Sequence, residues 1–304
     1  MSEHNLTRGR ALSDEFLCKL NPEKGGIYGP LVNRVRRDKD LDLEFRGNYI
    51  NIYYQGHNIL MLKRNGGIEI SDVFTRNLAG FPKSLKTSEE VDKYLELLPN
   101  IKDNVTYRDE NRRSSKSREL EFEQLLIRAN NLESRNNSEY IVIDRQYVVT
   151  NKGKKDRWDL VALRWPLDKR GAHYQEGYLS IIEVKYALNP DIQDIKDQVE
   201  KYGLYFEANR HNICKEMKTV LDQKLELGLL NKTEGQIKRL RKLPIVSDVE
   251  ETEIIIYLID YNRNSDLKRR AEETGKPDFR GKVRIALGGL ALWQTNLTDF
   301  GAGG

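Results

Sequence analysis

The sequence predicts an α/β protein with a mixed central sheet flanked by helices, preceded by a small α+β module built on an antiparallel meander. Three observations carry that prediction. From Leu41 to Val73 apolar residues recur at every second position between turn-forming clusters, the pattern of a meander. Beyond about residue 119, strand-like runs alternate with stripes at helical spacing, which places helices against a largely covered sheet. Two of those runs, Trp158-Asp159-Leu160-Val161-Ala162-Leu163 and Ile181-Ile182-Glu183-Val184-Lys185, carry charges where a buried strand should have none.

Taken in order, residues 1–40 read as irregular and charge-rich, with glycines at Gly25, Gly26 and Gly29. Leu41, Leu43 and Phe45 alternate with charges, and Tyr49–Tyr54 follows. Gln55-Gly56-His57-Asn58 turns the chain into Ile59–Lys63, and Asn65-Gly66-Gly67 turns it into Ile68–Ile70. Residues 86–98 read as a helix capped by Thr87 or Ser88, with Val91, Tyr94, Leu95 and Leu98 as its stripe. These elements make a module over 1–105 in which no chemistry is visible. The basic, Ser-rich, apolar-poor stretch 106–118 reads as a linker or loop.

The second domain, 119–304, opens on a helix over about Ser117–Asn131 that buries Phe122, Leu125, Leu126 and Ala129. Tyr140–Val149 is a strand, followed by a Lys-rich turn, the Asp159 strand, a polar loop and the strand Tyr178–Tyr186. Asn189 and Pro190 suit the cap and first position of a helix to about Glu207, striped by Ile192, Ile195, Val199, Tyr202 and Phe206. A further helix or pair spans Ile213–Lys242, and Glu253–Tyr261 and Val283–Trp293 close the domain as strands.

Composition narrows the function. A formal net charge of +4 over 304 residues is small, but it is unevenly placed. Arg108, Arg112, Arg113, Lys116 and Arg118 cluster before the second domain. Lys152, Lys154, Lys155 and Arg157 lead into the Asp159 strand, and Lys238, Arg239, Arg241 and Lys242 end a later helix. Such patches suit a polyanion, with Arg113, Lys116, Lys154, Lys155, Arg157 and Tyr202 as nucleic-acid-binding candidates; a solvated surface is the plain alternative. Cys18 and Cys214 cannot supply a four-thiolate metal site and are expected to be reduced. The four histidines share no metal-ligand spacing, and no Gly-rich phosphate loop precedes a helix. A polar N-terminus and the lack of a long apolar run make a cytoplasmic protein without a membrane partner the expectation.

The charged strands point to chemistry. Side chains alternate along a strand, so Glu183 and Lys185 share a face opposite Ile182 and Val184. Unpartnered charges there would be costly, and a metal ion held by Asp159 and Glu183 with Lys185 beside it would account for all three. A structural ion pair at strand ends is the rival reading. Gln198 and Tyr202, four residues apart, share a helix face; Tyr202 also continues the apolar stripe, which suits core packing. Asp144 is read as a strand-terminating carboxylate in preference to a further group at the metal site.

The ordered set Glu119, Asp159, Glu183-Val184-Lys185, Gln198 and Tyr202 resembles the PD-(D/E)xK nuclease superfamily. Arg118-Glu119-Leu120-Glu121 with Leu125-Leu126, and Asp159-Leu160-Val161-Ala162, are locally similar to archaeal Holliday junction resolvases. Gln198-Val199-Glu200-Lys201-Tyr202 is similar to the QxxxY element of RecB-type nucleases. The resemblance covers about 115–260; Arg157 and Trp158, not a proline, precede Asp159, and that proline is often missing in the superfamily. It implies a restriction-endonuclease-like fold and a Mg²⁺- or Mn²⁺-dependent deoxyribonuclease, with endo- or exonucleolytic cleavage open. It assigns Asp159, Glu183, the Val184 carbonyl and Glu119 to the metal, Glu119 competing with Glu121, Glu123 and an ordinary helix charge. Lys185 would hold or deprotonate the attacking water, or neutralise phosphate, and Gln198 would orient phosphate or Lys185. A homodimer is one implied assembly. The alternatives are an RNA-directed nuclease and a catalytically inactive nucleic-acid-binding or assembly protein of the same fold.

Overall fold

The computed structural model describes residues 9–112, 115–132, 138–151, 154–170, 175–186, 194–259, 266–273, 275, 277–287, 292 and 297–299. The chain divides into two compact units. One comprises Met1–Gln124 with Thr219–Asn231, the other Leu125–Lys218 with Lys232–Gly304.

In the first unit, Ser13 opens α1 (Asp14–Leu20) by accepting a hydrogen bond from the Phe16 N–H, and α2 (Gly29–Arg37) buries Leu31, Val32 and Val35. The stretch expected to be irregular is therefore partly helical. Each helix is too short for its stripe to emerge from the surrounding charges. Strands β1 (Leu41–Phe45), β2 (Tyr49–Tyr54), β3 (His57–Lys63) and β4 (Ile68–Glu69) form a four-stranded antiparallel sheet in chain order. The β2–β3 connection has just two residues, Gln55 (φ 47°) and Gly56 (φ 78°). Two positive φ angles make the mirror-image turn that matches strand twist.

Helix α3 (Ser88–Arg112) runs well past the expected end at 98. Val91, Tyr94, Leu98, Ile101 and Val105 continue one buried stripe, while Pro99 stands exposed beside it. Five buried apolar side chains, at about 1.5–3 kcal/mol each, outweigh the roughly 3 kcal/mol that an interior proline costs. The predicted linker 106–118 is helical to Arg112 and again from Ser115, where α4 (Ser115–Asn131) begins. Its Arg, Glu and Lys residues are good helix formers even without an apolar face.

The second unit is built on a six-stranded mixed sheet. Strands β5 (Tyr140–Asn151), β6 (Lys154–Arg164) and β7 (Tyr178–Tyr186) form an antiparallel run. Strands β8 (Glu253–Ile259) and β9 (Lys282–Leu287) continue it in parallel, and β10 (Leu297–Asp299) returns antiparallel. The spatial order is β10-β9-β8-β7-β6-β5. All seven residues of β8 are buried, as expected where parallel strands meet in the middle of a covered sheet.

Helix α5 (Ile195–Glu226) replaces the separate helices expected around 207–213 with one 32-residue span. Gly203 lies inside it because a Cβ there would stand 2.5 Å from the Phe279 ring. Asn189 and Pro190, the expected cap, lie outside the described residues. Helix α6 (Glu234–Lys242) carries a complete capping box between Thr233 and Gln236, and α7 (Leu267–Glu273) lies between β8 and β9 in the chain. Asp144 is not a strand terminator: it is 1% exposed in the middle of β5, beside a register shift. Among the described residues no helix is long and apolar enough to cross a membrane.

Candidate active site

The candidate site lies where β6 and β7 part. Their antiparallel register runs from Arg164↔Tyr178 to Leu160↔Ile182 and stops there. Beyond that point β6 continues against β5 through Tyr147↔Trp158, while β7 continues against β8 through Tyr186↔Ile259. The N–H of Val184, left without a β6 carbonyl, donates to Asp159 Oδ2 at 2.8 Å. Because Leu160 faces Ile182, the alternation of side chains puts Asp159 on the same sheet face as Glu183 and Lys185.

Glu183 and Lys185 meet directly: Lys185 Nζ stands 2.7 Å from Glu183 Oε1. The other carboxylate oxygen, Oε2, accepts from the Tyr202 hydroxyl at 3.0 Å. That hydroxyl is also 3.0 Å from the Arg157 carbonyl, so it bridges β7 to β6 across the gap, with one proton for two acceptors. Aromatic packing fixes its place. The Trp158 ring stacks on Tyr147 with centroids 5.3 Å apart and meets the edges of Tyr202 and Tyr205 at 6.0 and 5.9 Å. Tyr202 is thus both the core residue its stripe suggested and a polar partner of Glu183.

Burial governs the electrostatics. Glu183 and Lys185 are only 3% and 5% exposed. Loss of water raises the Glu183 carboxyl above the usual carboxylate range, against the opposing pull of Lys185 and Tyr202, and Asp156 raises it further. Burial, followed by Glu183, Asp159 and Asp156, pushes the Tyr202 phenol up, so it stays a neutral donor. Asp156 is the acid that sequence reasoning missed. Its only sequence signal was its place in the Lys-rich turn, now the start of β6.

The remaining predicted residues are placed as follows. Gln198 lies one turn before Tyr202 on α5, and its Oε1 is buried without a hydrogen-bond partner among the described residues. Glu119 is half-buried on α4 within the first unit, whereas Asp159, Glu183 and Lys185 belong to the second. Of the neighbouring acids weighed against it, Glu123 is the buried one, at 2% exposure. Lys155 and Arg157 are exposed on β6. Arg113, and the side chains of Lys116 and Lys154, lie outside the described residues.

The donor chemistry fits a hard divalent cation. The Asp159 and Glu183 carboxylates and the Val184 carbonyl are oxygen donors of the kind Mg²⁺ prefers. Around Tyr202, the carboxylates of Glu183, Asp159 and Asp156 all lie close enough to raise its phenol, and Lys185 pairs with Glu183 among them. Among the described residues no group of three or more His, Cys, Asp or Glu side chains is arranged to hold a metal, so a metal here would rest on two side chains and a backbone oxygen. No protein-family model matches the chain, and no curated protein or solved structure matches it.

Proposed function

We propose that the second unit is a Mg²⁺-dependent nuclease that hydrolyses phosphodiester bonds in DNA. One observation carries the reading: an acid on β6 and an acid–amine pair on β7 share one face where the two strands separate. The succession α4, β5, β6, β7, α5, β8 supports it, because it follows the order of elements in the superfamily that the motifs resemble. Hydrolysis forms a bond from water oxygen to phosphorus and breaks one to the leaving alcohol, whose oxygen takes up a proton. Asp159, Glu183 and the Val184 carbonyl would hold the metal, which when bound stabilises charge on the phosphoryl oxygens and acidifies a water.

The chain's own groups do the rest. Lys185, held by Glu183, presents an ammonium to the water or phosphate at that face. Tyr202 fixes the second Glu183 oxygen, leaving the carboxylate lone pairs for a cation, since each oxygen can accept more than one bond. Gln198, with a buried oxygen unsatisfied among the described residues, orients Lys185 or phosphate.

Incubating the full chain with end-labelled DNA and Mg²⁺ tests this. Parent protein should cleave, chelation should stop it, and Glu183→Ala and Lys185→Ala should lose at least about a hundredfold in rate while still binding DNA. Equal cleavage by variants and parent would mean that the activity belongs to a contaminant. The closed Glu183–Lys185 pair also favours a second reading, a nucleic-acid-binding protein that keeps the arrangement as a structural ion pair; it predicts binding without cleavage under every divalent metal. Substituting RNA in the same assay separates an RNA-directed enzyme.

A further inference from the structure

At the other end of β6, six residues and about 20 Å from Asp159 at the rise of a strand, a cationic cluster surrounds Trp165. The guanidinium carbons of Arg170 and Arg239 stand 4.7 and 5.7 Å from the centroid of that one ring. Arg170 is fixed by donating to the carbonyls of Ser138 and Trp165 at 2.6 and 2.9 Å. Lys232, half-buried just before α6, offers Nζ to the Asn130 carbonyl at 3.3 Å. Burial and the charge of Arg170 push its ammonium down to about 8. Arg170 is itself lowered by burial, with Glu139 opposing and Arg239 adding to the lowering. Among the described residues none of these three cations is ion-paired, and the buried indole N–H of Trp165 has no acceptor.

Helix-dipole complementarity accounts for the basic last turn of α6 as such. It does not account for Arg239 sharing a ring with a second guanidinium, or for an ammonium held beside that guanidinium with no counter-charge among the described residues. Like charges gathered at a cost imply an anion that offsets them. Exposed Lys238, Arg241 and Lys242 extend the charge along α6 as an open stripe, which suits a chain of phosphates better than a single enclosed ion.

We propose that Arg170, Lys232 and Arg239 form a docking surface for the phosphate backbone of a polynucleotide, remote from the β6–β7 site. The inference rests on the reading of the protein as one that handles nucleic acid, but not on its cleaving it. Fluorescence anisotropy of the full chain on a labelled DNA duplex, in chelator and across a salt series, tests it. Arg239→Gln and Lys232→Gln should each flatten the slope of log affinity against log salt by about 0.9 and together weaken binding roughly tenfold. Lys83→Gln, the same charge change at an exposed lysine of the first unit, should have no such effect. Exposed Arg239 keeps the test informative if Lys232→Gln fails to fold. Parental affinity and slope in both variants would overturn the proposal, as would equal losses in all three. Binding to phosphatidylserine vesicles but not to DNA would overturn it in favour of a membrane surface. If these shifts appear and Mg²⁺ still yields no cleavage, the docking surface stands and the nuclease reading falls.

Discussion

Glu183 and Lys185 are the residues whose energetics the site turns on. A nearly dehydrated ion pair is sensitive to losing one partner, at a cost of about 3–5 kcal/mol, because the other charge stays buried. Glu183→Gln and Lys185→Met should therefore each destabilise the fold. The effect of Lys185→Met has a pH signature. Removing Lys185 removes the strongest pull holding the carboxyl down, so a group already raised above 4.5 moves higher. The folded state then binds the extra proton, and stability is fully present below the unfolded value and lost as pH rises through the folded one. Chemical denaturation of Lys185→Met at pH 4.5 and 8 should show the defect shrinking on the acid side; a pH-independent defect would mean that Glu183 is not left charged and alone. Cysteine reactivity gives a second check at this scale. Cys214 is buried, its thiol pushed up to about 12, whereas Cys18 is exposed. Native alkylation should label Cys18 and spare Cys214.

Single elements explain where sequence and structure agree and where they part. The strand Tyr178–Tyr186 and the presence of a turn after Tyr54 were legible because each is written in local chemistry, although the turn read over Gln55–Asn58 closes in two residues, Gln55 and Gly56. That Glu183 and Lys185 share a face followed from strand alternation alone, whereas Asp159 joins them only through the Leu160↔Ile182 register. The parting of β6 from β7, and the Tyr202 hydroxyl that bridges it, depends on pairings far apart in sequence and could not be read from either strand. The sequence reading ends this helix at residue 98, whereas α3 runs through Pro99 to Arg112, because burial of Ile101 and Val105 overrides a local breaker. Pro99→Ala, at an exposed position, should raise the stability of the first unit by about 1–3 kcal/mol, read from its urea midpoint. Gly203→Ala should lower that of the second by about 1–3 kcal/mol, since the added methyl meets the Phe279 ring, and Phe279→Ala in the same chain should relieve the clash.

At the scale of the molecule, each unit buries an ion pair that alternation alone would have left ambiguous. In the first, Glu44 is fully buried and bonded to Lys224 at 2.8 Å, in a strand whose sequence showed only apolar residues alternating with charges. Its partner is 180 residues away in sequence, so nothing local announced it. Glu44 and Lys224 are read as structural, Glu183 and Lys185 as functional, and metal should tell them apart. A ligand that binds only the folded state stabilises it by RT ln(1 + [L]/Kd), about 2.7 kcal/mol at a hundredfold excess over Kd. Mn²⁺ should therefore raise the melting temperature of the parent and of Glu44→Gln, and should leave Asp159→Asn and Glu183→Gln unmoved. The most direct test is a crystal soaked in Mn²⁺ and measured for anomalous scattering. A single peak bound by the carboxylates of Asp159 and Glu183 and the carbonyl of Val184, with Lys185 beside it, is the expected result. Density absent from that face, with the Lys185 ammonium still closed on Glu183 at saturating metal, would contradict the catalytic reading.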